Sequence, residues 1–214
     1  MASQNISFKT IPSSTRKPGK YFEYDFTGAV NTLPGNPQPV LVIGQRLATG
    51  ATPALTAVRI SSENDARTAF GRGSIAHLMV KAALAANNYL DLTAIAVDDA
   101  PAGIAASGAV LIAGPATAAG NMTIEVADIK VTIAVNNGDT AAIIAANLVA
   151  QVGQQPDLPV TAAVAAANPA SIVLTAKNKG LAGNGISLST LSQTAGVTGT
   201  VTAMAGGLSD PDIQ

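Results

Sequence analysis

The composition of the chain changes sharply near residue 100, and this asymmetry constrains the fold more than any other feature. All seven aromatic residues precede residue 90, and only seven of the 25 charged residues fall between residues 105 and 205. The stretch Asp98–Gly108 joins the two regimes and is rich in Pro, Gly and small residues, which are typical of loops and domain boundaries. We therefore predict two structural regions that meet near residue 105.

Alanine accounts for 42 of the 214 residues. Each alanine buries little apolar area, so Val, Ile and Leu set among small residues must build the core. The net charge of −1 gives no basic field for nucleic acid. No apolar run approaches the roughly 18 residues of a membrane span, and residues 1–10 are too polar for a signal peptide. We therefore expect neither membrane insertion nor standard export.

The opening segment, Met1–Lys20, has the features of an extended arm. It carries four basic residues and no acidic residue, and Pro12 and Pro18 disfavour a regular helix. Ile6 and Phe8 alternate as they would on a strand. Taken alone, these residues leave two interpretations open, an arm that docks on a partner and a frayed terminus.

The next region has an α/β pattern. Strands are predicted at Tyr21–Phe26, at Pro39–Gly44 and at Leu92–Val97. The second of these is wholly apolar, which suits a strand covered on both faces. Two helices precede the last strand, one capped by Ser62 and one capped by Ser74 that runs to about residue 88. The order of strand, helices and strand predicts a parallel crossover.

Residues 105–206 are predicted to be rich in β-structure. Seven short β-branched runs are separated by Gly, Asn and Pro: Ala109–Ile112, Met122–Val126, Lys130–Val135, Val160–Val164, Ser171–Thr175, Ile186–Leu191 and Val197–Met204. One helix interrupts them and is capped by Asp139 or Thr140. These patterns predict a β-sandwich-like domain with one helix, and an α+β class for the chain as a whole.

Few side chains are suited to catalysis or metal binding. The chain has no cysteine and a single histidine, His77, which excludes thiolate chemistry and multi-histidine metal sites. His77 lies inside a predicted helix and has no Ser or Cys nucleophile motif beside it, so we assign it a structural or surface role.

Other candidate sites have simpler explanations. Gly44–Gly50 follows an apolar strand but lacks the spacing of a phosphate loop, and Gly71–Ser74 is interpreted as a turn between helices rather than an anion site. Asp98 and Asp99 are adjacent, so their side chains are expected to point to opposite faces. Lys177–Lys179 is interpreted as a solvated hairpin end. The sequence therefore predicts no enzyme, no cofactor and no metal.

Strings of residues along nearly the whole chain match one protein family in order. In the first region they are Ile6–Phe8, Ile11-Pro12, Arg16, Pro18–Asp25, Val40–Gln45 and Phe70–Ser74. In the second region they are Val131–Ile133, Gly138–Thr140, Asp157–Ala162, Leu174–Lys177, Gly183-Asn184, Met204–Gly207 and Asp210–Asp212. These strings resemble the contractile bacteriophage tail sheath proteins of the Mu-like family.

The resemblance implies a structural subunit that forms hexameric rings in a helical assembly around a tail tube and contracts to drive the tube through the host envelope. It implies an extended arm at residues 1–20, a partial α/β sheath core domain at 21–104, an inserted β-sandwich-like domain with one helix at 105–206, and the start of a connection to a C-terminal half at 207–214. The implied location is the virion tail, after assembly in the cytoplasm of the bacterial host.

The implied partners are other sheath subunits, forming a homo-oligomer, together with the tail tube, the baseplate and the tail terminator proteins. Nucleic acid and membrane are not among them. In sheaths of this family, terminal arms add strands to sheets of neighbouring subunits. By that analogy Ile6, Phe8 and Ile11 are expected to fill pockets of a neighbour. Lys9, Arg16 and Lys17 are expected to meet acidic residues.

Members of this family continue well past the segment that resembles residues 206–212, so we expect this chain to be an N-terminal portion and to be monomeric alone. An alternative from another class is a surface-binding β-domain that recognises a carbohydrate or a protein. It is disfavoured for sugars because residues 105–205 have no aromatic side chain for stacking. A nucleotide enzyme using Gly44–Gly50 is a third interpretation, for which we expect no ATP binding.

Overall fold

The computed structural model describes residues 11, 14, 16–24, 39–87 and 89–212. Residues 38–214 form one compact unit, and the described residues before them belong to a separate one. The described part contains three α-helices and ten strands, which confirms the predicted α+β class. None of the described helices is long and apolar enough to cross a membrane.

Residues 16–24 carry neither helix nor strand. The Tyr21 hydroxyl donates a hydrogen bond to the carbonyl of Lys17 at 2.7 Å, a contact typical of a local turn. The side chains of Phe22 and Tyr24 are largely exposed. The strand predicted at Tyr21–Phe26 is therefore wrong for residues 21–24, because a local bond rather than a strand ladder orders the backbone there. Residues 25 and 26 lie outside the described residues.

A first lobe is built from three strands and two helices. In chain order they are β1 (Pro39–Gln45), β2 (Ala57–Ile60), α1 (Glu63–Phe70), α2 (Ile75–Ala86) and β3 (Asp91–Val97). Strand β3 lies between β1, to which it is parallel, and β2, to which it is antiparallel. The parallel crossover predicted from the sequence is confirmed, whereas β2 was not predicted.

The helix boundaries follow from local chemistry. Ser62 and Ser74 have extended backbones, and their hydroxyls accept hydrogen bonds from the amides of Asp65 at 3.2 Å and His77 at 3.1 Å. Each serine thus satisfies one of the amides that a helix start leaves unpaired. Gly71 ends α1 with a φ of +87°, in the region that favours glycine. Both predicted caps are confirmed. Helix α2 ends at Ala86; the residue at the predicted end, 88, is not described.

Both helices of the first lobe pack on one face of its sheet, around Phe70, Leu92 and other buried residues. Along β1 the side chain of Val42 is buried on that face, while those of Leu41 and Ile43 are 56% and 45% exposed on the other. The prediction that this strand is covered on both faces is therefore wrong within the described residues. An apolar run shows that a strand has apolar side chains on both faces, but not that both faces have a neighbour.

A second lobe contains seven strands and one α-helix. In chain order they are β4 (Ser107–Ala113), β5 (Gly120–Val126), β6 (Ile129–Val135), α3 (Ala141–Gly153), β7 (Val160–Ala165), β8 (Asn168–Ala176), β9 (Leu188–Ser192) and β10 (Thr198–Ala205), with a short 3-10 helix at Leu181–Gly185. All seven predicted strands and the helix are present. Thr140 is the cap of α3, and its hydroxyl accepts from the amide of Ile143 at 3.4 Å.

The seven strands form two antiparallel sheets, one ordered β10-β4-β8-β7 and the other β6-β5-β9. The sheets meet at β9 and β10, and α3 packs on strands of both. Met122, Ile144, Leu148 and Ile172 lie among the fully buried side chains of the resulting core, which is separate from the core of the first lobe. The second lobe therefore has its own hydrophobic interior.

The second lobe begins and ends at one place. Ile104 and Leu208 form an antiparallel bridge in which each amide donates to the other carbonyl, at 3.0 and 3.1 Å. A side chain at Gly103 would press on the backbone oxygen of Ser209. The chain thus leaves the second lobe beside the point where it entered, next to the first lobe.

Candidate functional site

A buried polar cluster joins the two lobes, and Asn178 is at its centre. The Asn178 side chain is 5% exposed. Its amide nitrogen donates to the Arg46 carbonyl at 3.0 Å and to Asp99 Oδ1 at 2.9 Å, while its oxygen accepts from the amide of Ile75 at 3.0 Å. Gln45, also buried, donates to Asp99 Oδ1 at 3.0 Å. One side chain of the second lobe is thereby bonded to two strand ends and one helix start of the first.

Strand geometry explains why these groups meet. Gln45 ends β1, and Asp98 and Asp99 follow β3 directly. Since β1 and β3 are parallel, their carboxyl ends lie at the same edge of the sheet. Asp98 accepts from Arg46 at 2.6 Å, whereas Asp99 accepts from the Lys179 amide at 3.0 Å. The two adjacent carboxylates therefore bind different partners.

A second contact between the lobes is centred on Asp157. Its carboxylate accepts from Arg67 Nη2 at 2.8 Å and from Arg72 Nε at 2.8 Å. The hydrogen bond from Arg72, together with the charges of both guanidinium groups, holds the pKa of Asp157 below its ordinary value despite partial burial. The half-buried Lys177 donates to the carbonyls of Arg72 at 3.2 Å and Pro156 at 2.6 Å. Burial lowers the pKa of Lys177.

These contacts correct one prediction. Lys177–Lys179 is not a solvated hairpin end, because Asn178 is buried and the backbone amide of Lys179 binds Asp99. The prediction failed because two lysines flanking an asparagine are typical of exposed turns, and the sequence does not show that a second lobe packs on this segment.

His77 is fully buried in α2. Its Nδ1 accepts a hydrogen bond from the amide of Gly73 at 3.1 Å, and its Nε2 lies 3.6 Å from Glu63 Oε1. Burial lowers the pKa of the imidazole. Among the described residues, no serine hydroxyl and no lysine amine is hydrogen-bonded to the ring. The structural role predicted for His77 agrees with this placement.

The glycine-containing loops are closed by the protein itself. In the segment Gly44–Gly50 the amides of Arg46, Leu47 and Gly50 donate to carbonyls of Val97, Phe70 and Leu47, respectively, at 2.9 Å each. The Arg46 guanidinium donates to the Gly50 carbonyl at 3.2 Å. Backbone amides that cradle a phosphate must be unpaired before it binds, so this loop does not have the geometry of a nucleotide site.

The turn Gly71–Ser74 is likewise hydrogen-bonded within the protein. Gly71 and Gly73 have φ values of +87° and +79°, and the Gly73 amide is bonded to His77. This confirms that the segment is a turn between two helices. Within the described residues, no group of three His, Cys, Asp or Glu side chains is placed to hold a metal ion.

The β1–β3–β2 sheet has one face that the helices of the first lobe do not cover. Register pairs Ile43 with Ile95 and Leu41 with Thr93, and it pairs Ala57 of β2 with Ile95, so these side chains share that face. Parallel strands normally have both faces covered. Arg59, paired with Thr93, lies on the same face and forms an exposed ion pair with Asp91 at 3.0 Å. The apolar patch of β1 and β3 beside this ion pair is a candidate packing surface, and we call the whole face the open sheet face.

No protein-family model matches the chain. It is 41% identical over 215 residues to the Mu-like prophage FluMu tail sheath protein of Haemophilus influenzae, a match that covers 98% of this chain and 44% of that protein. This chain is related to the Mu-like tail sheath proteins. The predicted resemblance is confirmed, and the chain spans less than half the length of its sheath relative.

Of the arm residues singled out by the sheath resemblance, Ile6, Phe8 and Lys9 lie outside the described residues. Ile11 is half-buried, and the side chains of Arg16 and Lys17 are exposed. None of these three residues is part of a helix or strand. Their role in subunit contacts stays a prediction.

The residues that join the two lobes were not predicted from the sequence. Gln45 and Asp157 entered only as members of the family-matching strings, and Asn178 only as part of a supposed hairpin end. Their contacts were not predicted because their partners lie 54 to 134 positions away along the chain. The one usable signal was Gln45, a polar residue at the end of an otherwise apolar strand. A buried glutamine needs hydrogen-bond partners, so its position indicates a polar contact at that strand end.

Proposed function

We propose that this chain is part of a structural subunit of a contractile tail sheath, which polymerises around a tail tube and contracts to drive the tube through the host envelope. The observation that carries the proposal is the 41% identity to a tail sheath protein over 98% of this chain. The partners are other sheath subunits arranged in hexameric rings, the tail tube, and the baseplate and terminator proteins of a virion tail assembled in the host cytoplasm. The role is non-enzymatic.

We further propose the domain division that the resemblance implies: an arm at residues 1–20, a partial sheath core at 21–104, an inserted β-sandwich-like domain at 105–206 and a returning connection at 207–214. Two observations support it. The lobes have separate hydrophobic cores, and the bridge between Ile104 and Leu208 brings the two ends of the second lobe together, as an inserted domain requires.

The open sheet face supports a first lobe that is completed by further polypeptide. Leu41 and Ile43 present apolar area that the described residues leave exposed. The sheath relative is more than twice as long as the stretch that matches this chain. In this proposal the part of the sheath subunit that follows residue 212 packs on that face and gives the parallel pair β1–β3 its second layer.

The arm is tested by deletion. In a protein of sheath length that contains this sequence, removal of residues 1–20 is expected to abolish assembly into tubes, because strand addition between subunits would be lost. The measurement is negative-stain electron microscopy of purified particles. A matched variant, with Arg16 and Lys17 changed to Gln, separates charge from the apolar contacts of Ile6 and Phe8. Normal sheaths after the deletion would contradict the proposal.

The open sheet face is tested by a charge. Leu41→Asp in the 214-residue chain is expected to lower the free energy of unfolding by only about 1 kcal/mol, the cost of an aspartate in a strand, since more than half of the side chain is exposed. In the sheath-length protein the same change is expected to prevent correct folding or assembly, because the carboxylate would be buried. Leu191→Asp on β9 is the control: Leu191 is 58% exposed, close to the 56% of Leu41. Equal behaviour of the two variants in the sheath-length protein would argue against a covered face.

A further inference from the structure

The single histidine of the chain lies where the two lobes meet, and its bonding depends on its being neutral. His77 is fully buried, and its Nδ1 accepts from the amide of Gly73 at 3.1 Å. A ring nitrogen that accepts a hydrogen bond carries no proton, so the proton of the neutral ring is on Nε2. That nitrogen is buried, with no hydrogen-bond partner among the described residues, and lies 3.6 Å from Glu63 Oε1.

Charging the imidazole therefore conflicts with the bond that holds the turn. A histidine cation has an N–H at both ring nitrogens. The new N–H on Nδ1 would face the N–H of Gly73, so two donors would oppose each other in a buried site. Either the ring stays neutral or the turn Gly71–Ser74 moves away from it.

The same turn carries the contact with the second lobe. The Arg72 carbonyl accepts from Lys177 Nζ at 3.2 Å, and the Arg72 side chain donates to Asp157 at 2.8 Å. A methyl group at Gly73 would lie 2.6 Å from Lys177 Nζ and closer still to the Leu158 carbonyl oxygen. A shift of Gly73 toward these atoms would therefore press on Leu158 or Lys177.

Charged groups surround His77 on three sides. Glu63 and Arg67 face it from α1, Lys81 from α2 and Asp157 from the second lobe. Desolvation lowers the pKa of His77; Asp157 and Glu63 oppose that shift, while Arg67 and Lys81 add to it. Both carboxylates have a pKa held below its ordinary value, so they stay charged while a histidine titrates.

We propose that His77 is a protonation-sensitive latch between the lobes, whose charging releases the turn Gly71–Ser74 and loosens the contact of that turn with Asp157 and Lys177. The contact between the lobes at Asp157 and Lys177 then depends on pH. The latch is formed by described residues of the chain and does not depend on the proposed tail sheath function.

The sign of the pH effect follows from linkage. A histidine whose pKa is lower in the folded than in the unfolded state binds fewer protons when folded. The latch is therefore fully closed above the ordinary histidine value of about 6.5 and opens as the pH falls below it. Acid pH is expected to open it, and the paired carboxylates titrate only at lower pH.

Nuclear magnetic resonance tests the latch directly, because a chain with one histidine gives one imidazole titration. We expect the ring of His77 to titrate below pH 6.5, and the Gly73 amide to lose protection from hydrogen exchange over the same range. After correction for intrinsic exchange rates, the protection factor of the Gly73 amide should fall by up to about tenfold for each pH unit below 6.5. His77→Asn, which keeps an acceptor near the Nδ1 position, should keep Gly73 protected at both ends of the range.

A second measurement follows the lobes themselves. The chain has no cysteine, so Ala86→Cys on α2 and Ala166→Cys in the β7–β8 turn allow a clean pair of spin labels. We expect their distance distribution to broaden at acid pH in the otherwise native chain, to stay narrow with His77→Asn, and to be broad at all pH values with Asp157→Asn. The proposal would be overturned if His77 became charged while the Gly73 amide stayed protected. It would be overturned as well if the distances between the spin labels did not change with pH. It would also be overturned if His77→Asn kept the native pH response.

Discussion

Replacing Gly73 with alanine is expected to lower the free energy of unfolding by about 3 kcal/mol, because two separate penalties add at this position. Gly73 has a φ of +79°, which side chains other than glycine rarely adopt. The added methyl group would also lie against Lys177 and the Leu158 carbonyl, both from the second lobe. Urea denaturation of the two proteins at neutral pH measures the difference.

Gly138 provides the matched control. Its φ of +90° is similarly positive, but no atom lies within 4 Å of the position that a side chain would take. Gly138→Ala should therefore cost about 1 kcal/mol, which is the backbone penalty alone. The difference between the two variants isolates the contact between the lobes. If they were equally destabilised, the close packing at Gly73 would not contribute.

Asn178→Ala is expected to cost about 3 kcal/mol, since removing one buried side chain leaves several polar groups without partners. The Ile75 amide loses its acceptor, while the Arg46 carbonyl and Asp99 each lose a donor. Asn147 lies exposed on α3 and is the control: Asn147→Ala removes an amide in solvent and should be neutral or slightly stabilising, given the high helix propensity of alanine.

The conservative change Asn178→Asp distinguishes hydrogen bonding from packing. An aspartate keeps the acceptor for Ile75 but brings a second carboxylate to the place where the Asn178 amide lies 2.9 Å from Asp99. Like charges at that distance repel, so the variant should be no more stable than Asn178→Ala at neutral pH. Native stability in either variant would show that the cluster does not hold the lobes together.

Local chemistry made much of the fold predictable. Ser62, Ser74 and Thr140 cap helices through bonds to residues three positions ahead, and such bonds are visible in sequence. Within the predicted run Met122–Val126, Met122, Ile124 and Val126 alternate with polar residues, which is typical of a half-buried strand and matches the burial in β5. These signals depend only on neighbours along the chain, so tertiary packing did not alter them.

Features that depend on distant partners were not predictable. Strand β2 has only four residues, one of them Arg59, and exists because β3 lies beside it. The polar cluster around Asn178 joins segments that no periodicity connects. The exposure of Leu41 shows the converse, since its apolar character predicted a neighbour that the described residues do not provide. Composition indicates what a residue prefers, whereas topology decides what it contacts.

Because Ile104 and Leu208 form a bridge, the size of the second lobe has little effect on the first lobe. Once that lobe has folded, its two ends are as close as those of a short hairpin loop. Its length therefore adds little to the entropic cost of bringing together the segments before and after it. Hairpins can then be gained or lost within it without moving the point at which the chain continues. The second lobe can vary in evolution like a surface loop although it has a core of its own.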